Sequence, residues 1–266
     1  MPATDLPLLI DAALEAGKIA TRYSGTTAQR WDKPDGAGPV TEADLAVNAM
    51  LEQRLPVARP GYGWLSEETE DSKDRLTKDR VFIVDPIDGT RSFAEGSRTW
   101  AHSLAIAEQG EVAAAVIYLP LRNLLYAAAK GQGATLNGTP IRVSQVSDLE
   151  AAEILAAKPN LDTRHWRQGQ PPTFQRKYRP SLAYRMALVG QGRFDGMLTL
   201  RPSWEWDIAA GDLIIREAGG ICSNRLGQPL KFNNAHPRLN GVVAAGRVIH
   251  ETLSARLDPD STGINP

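Results

Sequence analysis

The chain is poor in the features that mark secreted, disulfide-stabilised or membrane proteins. Its 266 residues include a single cysteine, Cys222, so no disulfide can form within the chain and a reducing compartment is expected. No apolar run reaches the roughly 18 residues that a membrane span needs. No basic segment followed by an apolar core marks a signal peptide. The sequence therefore predicts a cytoplasmic protein without a membrane partner.

An excess of charge of one sign is also missing. Lysine and arginine together number 30 and aspartate and glutamate 31, which gives a net charge of −1. Without a basic field, a nucleic acid polymer is not an expected partner. The four histidines are scattered without the spacings typical of zinc sites, so any metal should be held by oxygen.

The most informative stretch runs from Val81 to Thr90. Its apolar, β-branched start predicts a buried strand that ends at Asp85, because Pro86 cannot continue a ladder of hydrogen bonds. Asp88 follows in the turn, and the backbone N–H groups of Gly89–Thr90 come directly after it. Carboxylates bind hard divalent cations, and exposed N–H groups bind phosphate. The stretch therefore predicts metal-assisted phosphoryl chemistry.

Helical and strand patterns alternate along the rest of the chain, which predicts a layered α/β (α+β) fold. The predicted helices cover about 6–23, 41–55, 181–189 and 207–218, with a last one ending near 257. The predicted strands lie near 64–66, 81–85, 103–108, 112–118, 124–129, 194–199, 221 and 242–245. A boundary near 145–160 would divide the chain into halves 1–150 and 151–266, and a tail from Asp258 is expected to be disordered.

Five acidic residues stand near turns or ends of elements: Asp44, Glu67, Asp85, Asp88 and Asp207. Helix capping accounts for Asp44 when it is taken alone, and the helix dipole accounts for Asp207. The acidic run that begins at Glu67 is typical of a solvated loop. Two acids after a buried strand are different, because that is where α/β proteins place ligands. A binding function is therefore the favoured interpretation of Asp85 and Asp88.

Taken together, these motifs resemble those of the inositol monophosphatase superfamily of magnesium-dependent, lithium-sensitive phosphatases. The resemblance covers about residues 6–255 and depends on Ser66–Glu68, Asp85–Thr90, Trp206–Gly211 and Glu217–Gly220. It implies a layered αβαβα sandwich of the inositol monophosphatase and fructose-1,6-bisphosphatase type. It also implies two or three Mg²⁺ ions and a small phosphate ester as substrate, with a monomer and a homodimer both open.

The resemblance assigns the metal ligands. Asp85 matches the carboxylate that bridges two ions, and Glu67 matches the ligand that shares the first ion with it. The carbonyl of Ile87 completes that set, while Asp88 and Asp207 match the ligands of the second ion. Two cations roughly 4 Å apart would neutralise a dianionic phosphomonoester and lower the pKa of a bound water.

Other residues match positions around the phosphate. Thr90 matches the hydroxyl that orients the attacking water together with the first-ion glutamate, and Asp44 matches the acid that polarises this hydroxyl. The N–H groups of Gly89 and Thr90 match the phosphate cradle. Lys33 matches a lysine near the outer metal, on a loop over 33–39 that we expect to order when metals bind.

The substrate is less clearly specified. Inositol-specific members carry a glutamate shortly before the second-motif aspartate, whereas this chain has Thr199–Arg201 there. The local sequences Leu65–Glu68, Gly89–Arg91 and Glu205–Asp207 are more similar to the CysQ-like 3′(2′),5′-bisphosphate nucleotidase branch, which acts in sulfur metabolism. The leading prediction is therefore hydrolysis of 3′-phosphoadenosine 5′-phosphate to AMP and phosphate. Inositol 1-phosphate is the alternative substrate.

Two further classes of protein are weighed against this prediction. A haloacid-dehalogenase-type phosphatase needs two aspartates separated by one residue, and Asp85 and Asp88 are one residue too far apart. A non-catalytic regulatory or binding protein on the same fold is the remoter alternative. The full set of expected ligands argues against that loss of catalysis.

A second phosphate and an adenine would need cations and a flat surface. The candidates for phosphate contacts are Arg91, Arg179 in the basic run Arg176–Arg179, and Ser181, which follows that run. A solvated loop is the alternative interpretation of the run. Trp204 is a candidate for stacking on a base, although packing against the helix that it precedes is favoured.

Overall fold

The computed structural model describes residues 2–24, 28–33 and 38–261. The helices within these ranges are α1 (Pro2–Ala20), α2 (Glu42–Ala58), α3 (Thr90–Ala94), α4 (Leu182–Gly190), α5 (Glu205–Glu217) and α6 (Arg247–Arg256). No helix among the described residues is long and apolar enough to cross a bilayer.

The strands form a short hairpin and two sheets. The hairpin pairs β1 (Arg30–Asp32) with β2 (Pro39–Thr41). A seven-stranded sheet follows chain order through β3 (Gly63–Ser66), β4 (Arg80–Asp88), β5 (Ala101–Glu108), β6 (Glu111–Leu119), β7 (Leu124–Ala129), β8 (Ala134–Leu136) and β9 (Thr139–Pro140). A five-stranded sheet contains β10 (Glu153–Ala156), β11 (Gln175–Lys177), β12 (Gly196–Trp204), β13 (Ile221–Ser223) and β14 (Arg238–Ala245), in the order β11-β10-β12-β14-β13.

The helices and the two sheets stack in five layers, and apolar side chains fill the spaces between these layers. Alternate residues of β4 divide between two cores: Phe82 and Val84 pack with α1 and α2, while Val81 and Ile83 pack on the side of α4 and α5. A strand buried on both faces needs an unbroken apolar run, which explains its composition. A third core lies between the five-stranded sheet and α6. The predicted αβαβα sandwich is confirmed.

The first sheet ends at Pro140 and the second begins at Glu153. A single core contains residues of both sheets, with α4 and α5 between them. The division into halves 1–150 and 151–266 therefore remains a prediction about organisation.

The chain after α6 is partly ordered, in contrast to the prediction. Leu257 forms an antiparallel bridge with Trp166, and the N–H of Asp258 donates to the carbonyl of His165 at 3.0 Å. The prediction of disorder from Asp258 onward is wrong for these first residues, because Leu257 is buried in the third core. The tail beyond residue 261 lies outside the described residues.

Candidate active site

Strand β4 delivers two carboxylates through an irregularity in its pairing with β5. Asp85 pairs with Ser103 and Asp88 with Ala101, and the register shifts between these two pairs. The shift absorbs Pro86, so the strand runs to Asp88 and the prediction that it ends at Asp85 is wrong.

Histidine and glycine fix the turn that follows. Nδ1 of His102 lies 2.5 Å from the carbonyl oxygen of Pro86 and donates to it. Burial lowers the pKa of His102 to about 4, so this ring is neutral at physiological pH. Gly89 takes φ = 97°, a conformation that disfavours any other residue. The turn geometry is thus held from both sides.

Three carboxylates from distant parts of the chain converge beside this turn. Glu67 directly follows β3, which runs parallel to β4, and its N–H donates to Val84. Asp207 stands in the first turn of α5. One carboxylate oxygen each of Glu67, Asp85 and Asp207 lies within 4.8 Å of the other two.

The environment of Asp85 matches that of a metal ligand. Its Oδ1 is buried and has no hydrogen-bond partner among the described residues. Burial, reinforced by the neighbouring carboxylates, raises the pKa of Asp85 and of Asp207 well above the usual range. A cation would satisfy the unpartnered oxygen and relieve this repulsion. The donor set is made of oxygens only, which suits Mg²⁺.

Asp88 lies on the wall of the same cleft but is tied to α4. Its Oδ2 accepts hydrogen bonds from the hydroxyl of Ser181 and from the N–H of Ala183, both at 2.6 Å. Burial raises the pKa of Asp88 to about 6. The hydroxyl of Ser181, predicted to contact substrate, lines the cleft yet binds Asp88, so its first role in this structure is to orient that carboxylate.

Asp44 connects the N-terminus of α2 to Thr90. Its Oδ2 accepts from the N–H and the hydroxyl of Thr41, at 2.9 and 2.5 Å, which forms the predicted capping interaction. Its Oδ1 lies 3.1 Å from the hydroxyl of Thr90, which is also 3.1 Å from the carbonyl of Ile87. One oxygen of Asp44 therefore caps α2 and the other contacts Thr90, while its role in polarising that hydroxyl stays a prediction.

Lys33 reaches the carboxylates from the hairpin. Its Nζ lies 2.9 Å from Oε1 of Glu67 and 2.7 Å from Oε1 of Glu68. Its N–H donates to the carbonyl of Gly38 and closes the hairpin. Burial raises the pKa of Glu68 to about 7. The centre of the predicted mobile loop, 34–37, lies outside the described residues, so its ordering by metals stays a prediction.

Arginines form the other wall of the cleft. Arg91, Arg185 and Arg201 line the acidic cleft of about 350 Å³, and with Arg164 they also line an adjoining cavity of about 440 Å³. Arg185 is half-buried and its guanidinium lies 4.5 Å from the ring centroid of Tyr178. Arg91 and Arg201 are exposed, and their guanidinium groups make no hydrogen bond or ion pair with the described residues. The cavity therefore offers free cationic groups next to the carboxylates.

The cationic side chains of the basic run Arg176–Arg179 make contacts with other parts of the protein. The guanidinium of Arg179 lies 5.3 Å from the ring of Phe194 and donates to the carbonyl of Tyr178. Arg176 donates to a carbonyl of β10, and Lys177 pairs with a glutamate of the same strand. Arg179 is not among the described residues that line either cavity. Its role as a substrate contact therefore stays a prediction, because its guanidinium contacts Phe194 and Tyr178 in this structure.

Sequence reasoning missed Arg185 and Arg201. Arg185 is one helical turn after Ser181 and so faces the same side of α4, a spacing that was available in the sequence. The pairing of β12 with β14 shifts its register between Thr199 and Pro202. Arg201 lies in this irregularity and has no partner residue in β14. Pro202 indicates in the sequence that the strand is irregular there, but it does not indicate toward which side the arginine before it turns.

Trp204 also lines the cleft. Its ring is stacked on Trp206 at 4.7 Å, with 11° between the planes, and the guanidinium of Arg238 lies 4.6 Å from its centroid. These contacts favour packing rather than base stacking.

Comparisons with known proteins agree with this geometry. A model of the inositol monophosphatase family matches residues 3–259. The chain is 34% identical to an inositol-1-monophosphatase of Mesorhizobium japonicum, over 93% of this chain and 94% of the relative. It is 32% identical to a histidinol-phosphatase of Mycobacterium tuberculosis, over 97% and 99%. The crystal structure of the extragenic suppressor protein suhB from Bartonella henselae superposes with a TM-score of 0.79, at 30% identity, over 95% of this chain and 97% of that one.

Proposed function

The chain belongs to the inositol monophosphatase family, and from this premise we propose that it is a Mg²⁺-dependent phosphomonoesterase. The observation that carries the proposal is the convergence of Glu67, Asp85 and Asp207 around a buried, unpartnered carboxylate oxygen. These groups lie beside a glycine turn whose N–H groups suit a phosphate.

In this proposal the carboxylates have distinct tasks. Asp85 would serve as a ligand to two of the two or three Mg²⁺ ions, with Glu67 and the carbonyl of Ile87 as ligands of the first and Asp88 and Asp207 as ligands of the second. The ions would supply charge neutralisation for the phosphate and a water of lowered pKa. The hydroxyl of Ser181, which donates to Oδ2 of Asp88, would orient this carboxylate for the task.

The remaining residues act on the water and the ester. The hydroxyl of Thr90 would orient the attacking water together with Glu67. Its position is fixed by Asp44, whose Oδ1 lies 3.1 Å away. The N–H groups of Gly89 and Thr90 would receive the phosphate oxygens. Lys33, which forms an ion pair with Glu67, would balance the negative charge of the carboxylates until metal and substrate bind.

Chelation tests the metal requirement. We expect phosphate release to vanish in excess EDTA, to return when Mg²⁺ exceeds the chelator, and to be inhibited by Ca²⁺, which does not keep the tight octahedral geometry of Mg²⁺. The control is EDTA already saturated with Mg²⁺, which should leave the rate unchanged. Full activity in excess EDTA would contradict the proposal.

For the substrate we propose 3′-phosphoadenosine 5′-phosphate, as in the CysQ-like branch. The support is the arginine-lined cavity that adjoins the acidic cleft, because a second phosphate beyond the scissile one would contact Arg91, Arg185 and Arg201. The ring of Tyr178, half exposed at the border of both cavities, offers a flat surface to a base.

The named relatives suggest two other substrates. Inositol 1-phosphate presents neutral hydroxyls, and among the described residues that line the adjoining cavity there is no carboxylate to accept their hydrogen bonds. Histidinol phosphate carries an ammonium group, which Arg185 and Arg201 would repel. Inositol 1-phosphate remains the second candidate. A non-catalytic regulatory role is the more distant one, since the acidic set is complete.

Substitution of Arg201 tests this choice. Wild-type enzyme should show the higher kcat/KM for the nucleotide than for inositol 1-phosphate. Arg201→Ala should raise KM for the nucleotide about tenfold, the lower end of a charge-assisted contact worth roughly 1.5–3 kcal/mol, because the side chain is exposed. Inositol 1-phosphate should be nearly unaffected.

Arg179→Ala is the matched control for Arg201→Ala. Its guanidinium packs on Phe194 away from both cavities, so both substrates should keep their wild-type KM. Equal or better turnover of inositol 1-phosphate by the wild type would overturn the nucleotide assignment and leave the phosphatase proposal intact.

A further inference from the structure

A partly buried chain of hydrogen bonds joins the segment after Glu67 to the segment before Asp207. Its members, which we call the Arg75 bridge, are Asp71, Arg75, Asn233, Asn234 and Glu205. We propose that the Arg75 bridge holds Glu67 and Asp207 at the spacing that Mg²⁺ requires, and that Arg75 and Glu205 are positioning residues. This inference rests on the proposed function, since it takes Glu67 and Asp207 as metal ligands.

One end of the bridge fixes the loop that carries Glu67. Arg75 is 1% exposed, and its Nε and Nη2 donate to the two oxygens of Asp71 at 2.9 and 2.7 Å. Asp71 stands only four residues after Glu67. Arg75 lowers the pKa of Asp71 through these hydrogen bonds, so the pair stays ionised at physiological pH. A two-pronged contact of this kind fixes direction as well as distance.

The middle of the bridge crosses to a distant part of the chain. Nη1 of Arg75 donates to Oδ1 of Asn233 at 2.6 Å, and Nη2 donates to the carbonyl of Asn234 at 3.0 Å. The side-chain amide of Asn233 returns a hydrogen bond to the carbonyl of Arg75 at 3.1 Å. Asn233 has φ = 63°, a left-handed conformation that asparagine tolerates better than most residues.

The other end fixes the start of α5. Glu205 is fully buried and stands two residues before Asp207. Its Oε2 accepts from the N–H of Asn233 at 2.6 Å, and its Oε1 accepts from the N–H and the amide of Asn234 at 2.9 and 2.7 Å. Three donors on one carboxylate leave it little freedom to rotate.

The Arg75 bridge adds a second link between the two ligands, beside the pairing of β3, β4 and β5, in which the N–H of Glu67 donates to the carbonyl of Val84. The first turn of α5 is also held by Ser103, whose hydroxyl donates to the carbonyl of Trp206 at 2.9 Å. That contact holds α5 on β5 but does not reach the loop of Glu67. Mg²⁺ accepts little deviation from octahedral geometry, so loosening the loop should weaken metal binding although every ligand remains.

The test is Mg²⁺ affinity measured by titration calorimetry on the metal-free full chain. Arg75→Met should raise the Kd for Mg²⁺ about tenfold or more, the range seen when groups that orient metal ligands are removed. The Mg²⁺ concentration for half-maximal phosphate release should rise by a similar factor, while KM for the substrate at saturating Mg²⁺ should hold. Glu205→Gln should also raise the Kd. Both oxygens of Glu205 accept from N–H donors of Asn233 and Asn234, and the glutamine amide would place its own N–H groups against one of these sets of donors.

Arg216→Met is the control, since it removes a half-buried arginine from α5 that pairs with Asp212 rather than with the bridge. It should lower thermal stability and leave the Kd for Mg²⁺ within about twofold, well inside the effect expected for ligand-orienting groups. If Arg75→Met does not fold, Arg75→Lys provides a second variant. It keeps the positive charge but loses the paired hydrogen bonds to both oxygens of Asp71, and it should show the same shift in Kd.

Wild-type affinity for Mg²⁺ in the folded Arg75 variants and in Glu205→Gln would overturn the inference. Absence of Mg²⁺ binding by the wild type would instead overturn the proposed function, so the two failures are distinguishable.

Discussion

Asp85→Asn is expected to reduce phosphate release by more than about a thousandfold, because under the proposed function Asp85 is a metal ligand and the metal supplies several kcal/mol of transition-state stabilisation. Asp85 belongs to the group of three carboxylates, and its Oδ1 is buried without a partner among the described residues. An amide nitrogen in that position cannot bind a cation. Initial rates with saturating Mg²⁺ and substrate measure the loss.

The same substitution should not weaken the metal-free protein. The pKa of Asp85 is raised by burial and by its acidic neighbours, so its ionisation opposes folding. The stability that it contributes when protonated is therefore lost as the pH rises above its ordinary value of 3.8. At neutral pH without metal, Asp85→Asn should melt at the wild-type temperature or higher, and added Mg²⁺ should no longer raise its Tm.

A matched control separates this effect from a general loss of packing. Asp212 is buried on α5 and paired with Arg216, so Asp212→Asn should lower Tm with or without Mg²⁺. If Asp85→Asn also melted lower in the absence of metal, Asp85 would be a structural residue and its assignment as a ligand would be wrong.

Thr90→Ala is expected to lower kcat about a hundredfold or more while KM changes little, in the range attributed to groups that handle the reacting proton. The hydroxyl lies 3.1 Å from Oδ1 of Asp44, which directs its lone pairs toward the cleft. Its loss would remove orientation of the attacking water and leave the backbone N–H that contacts phosphate. An interaction made mainly in the transition state should affect kcat rather than KM.

Thr90→Ser is the control, because it keeps the hydroxyl and should retain most of kcat. Asp44 still accepts from Thr41 through its other oxygen in both variants, so the α2 cap and Tm should change little. A wild-type kcat in Thr90→Ala would remove Thr90 from the mechanism. Steady-state kinetics at saturating Mg²⁺ distinguish these results.

The sequence predicted the elements whose signal is local. The apolar run of β4 and the acids that follow it could be identified because a doubly buried strand needs such a run and a ligand-binding turn needs such acids. The five-layer fold followed from a family resemblance carried by those motifs. The strand was nevertheless extended to Asp88, because a register shift against β5 accommodates Pro86.

Most of the residues that line the proposed substrate cavity could not be identified from the sequence, because they are brought together by contacts between distant parts of the chain. Arg179 looked suitable because four basic or aromatic residues are adjacent there, yet Arg176 and Lys177 belong to β11, which pairs with β10, and the Arg179 guanidinium contacts Phe194. Arg201 lines the cleft because β12 is irregular at that position. Arg75 donates a hydrogen bond to Asn233, which lies far from it in the sequence. Such encounters follow from tertiary packing, which no local pattern encodes.

Asp44 imposes a constraint on how this protein can be engineered or can diverge. One of its oxygens caps α2 and the other contacts Thr90, so under the proposed function helix stability and reactivity would depend on a single carboxylate. A better cap at Thr41, such as an aspartate, would place a second acid beside Asp44, whose pKa burial has already raised to about 6. Thermostabilised variants of this chain should therefore carry their changes away from this helix end, and lineages that lose catalysis should be the first to vary it.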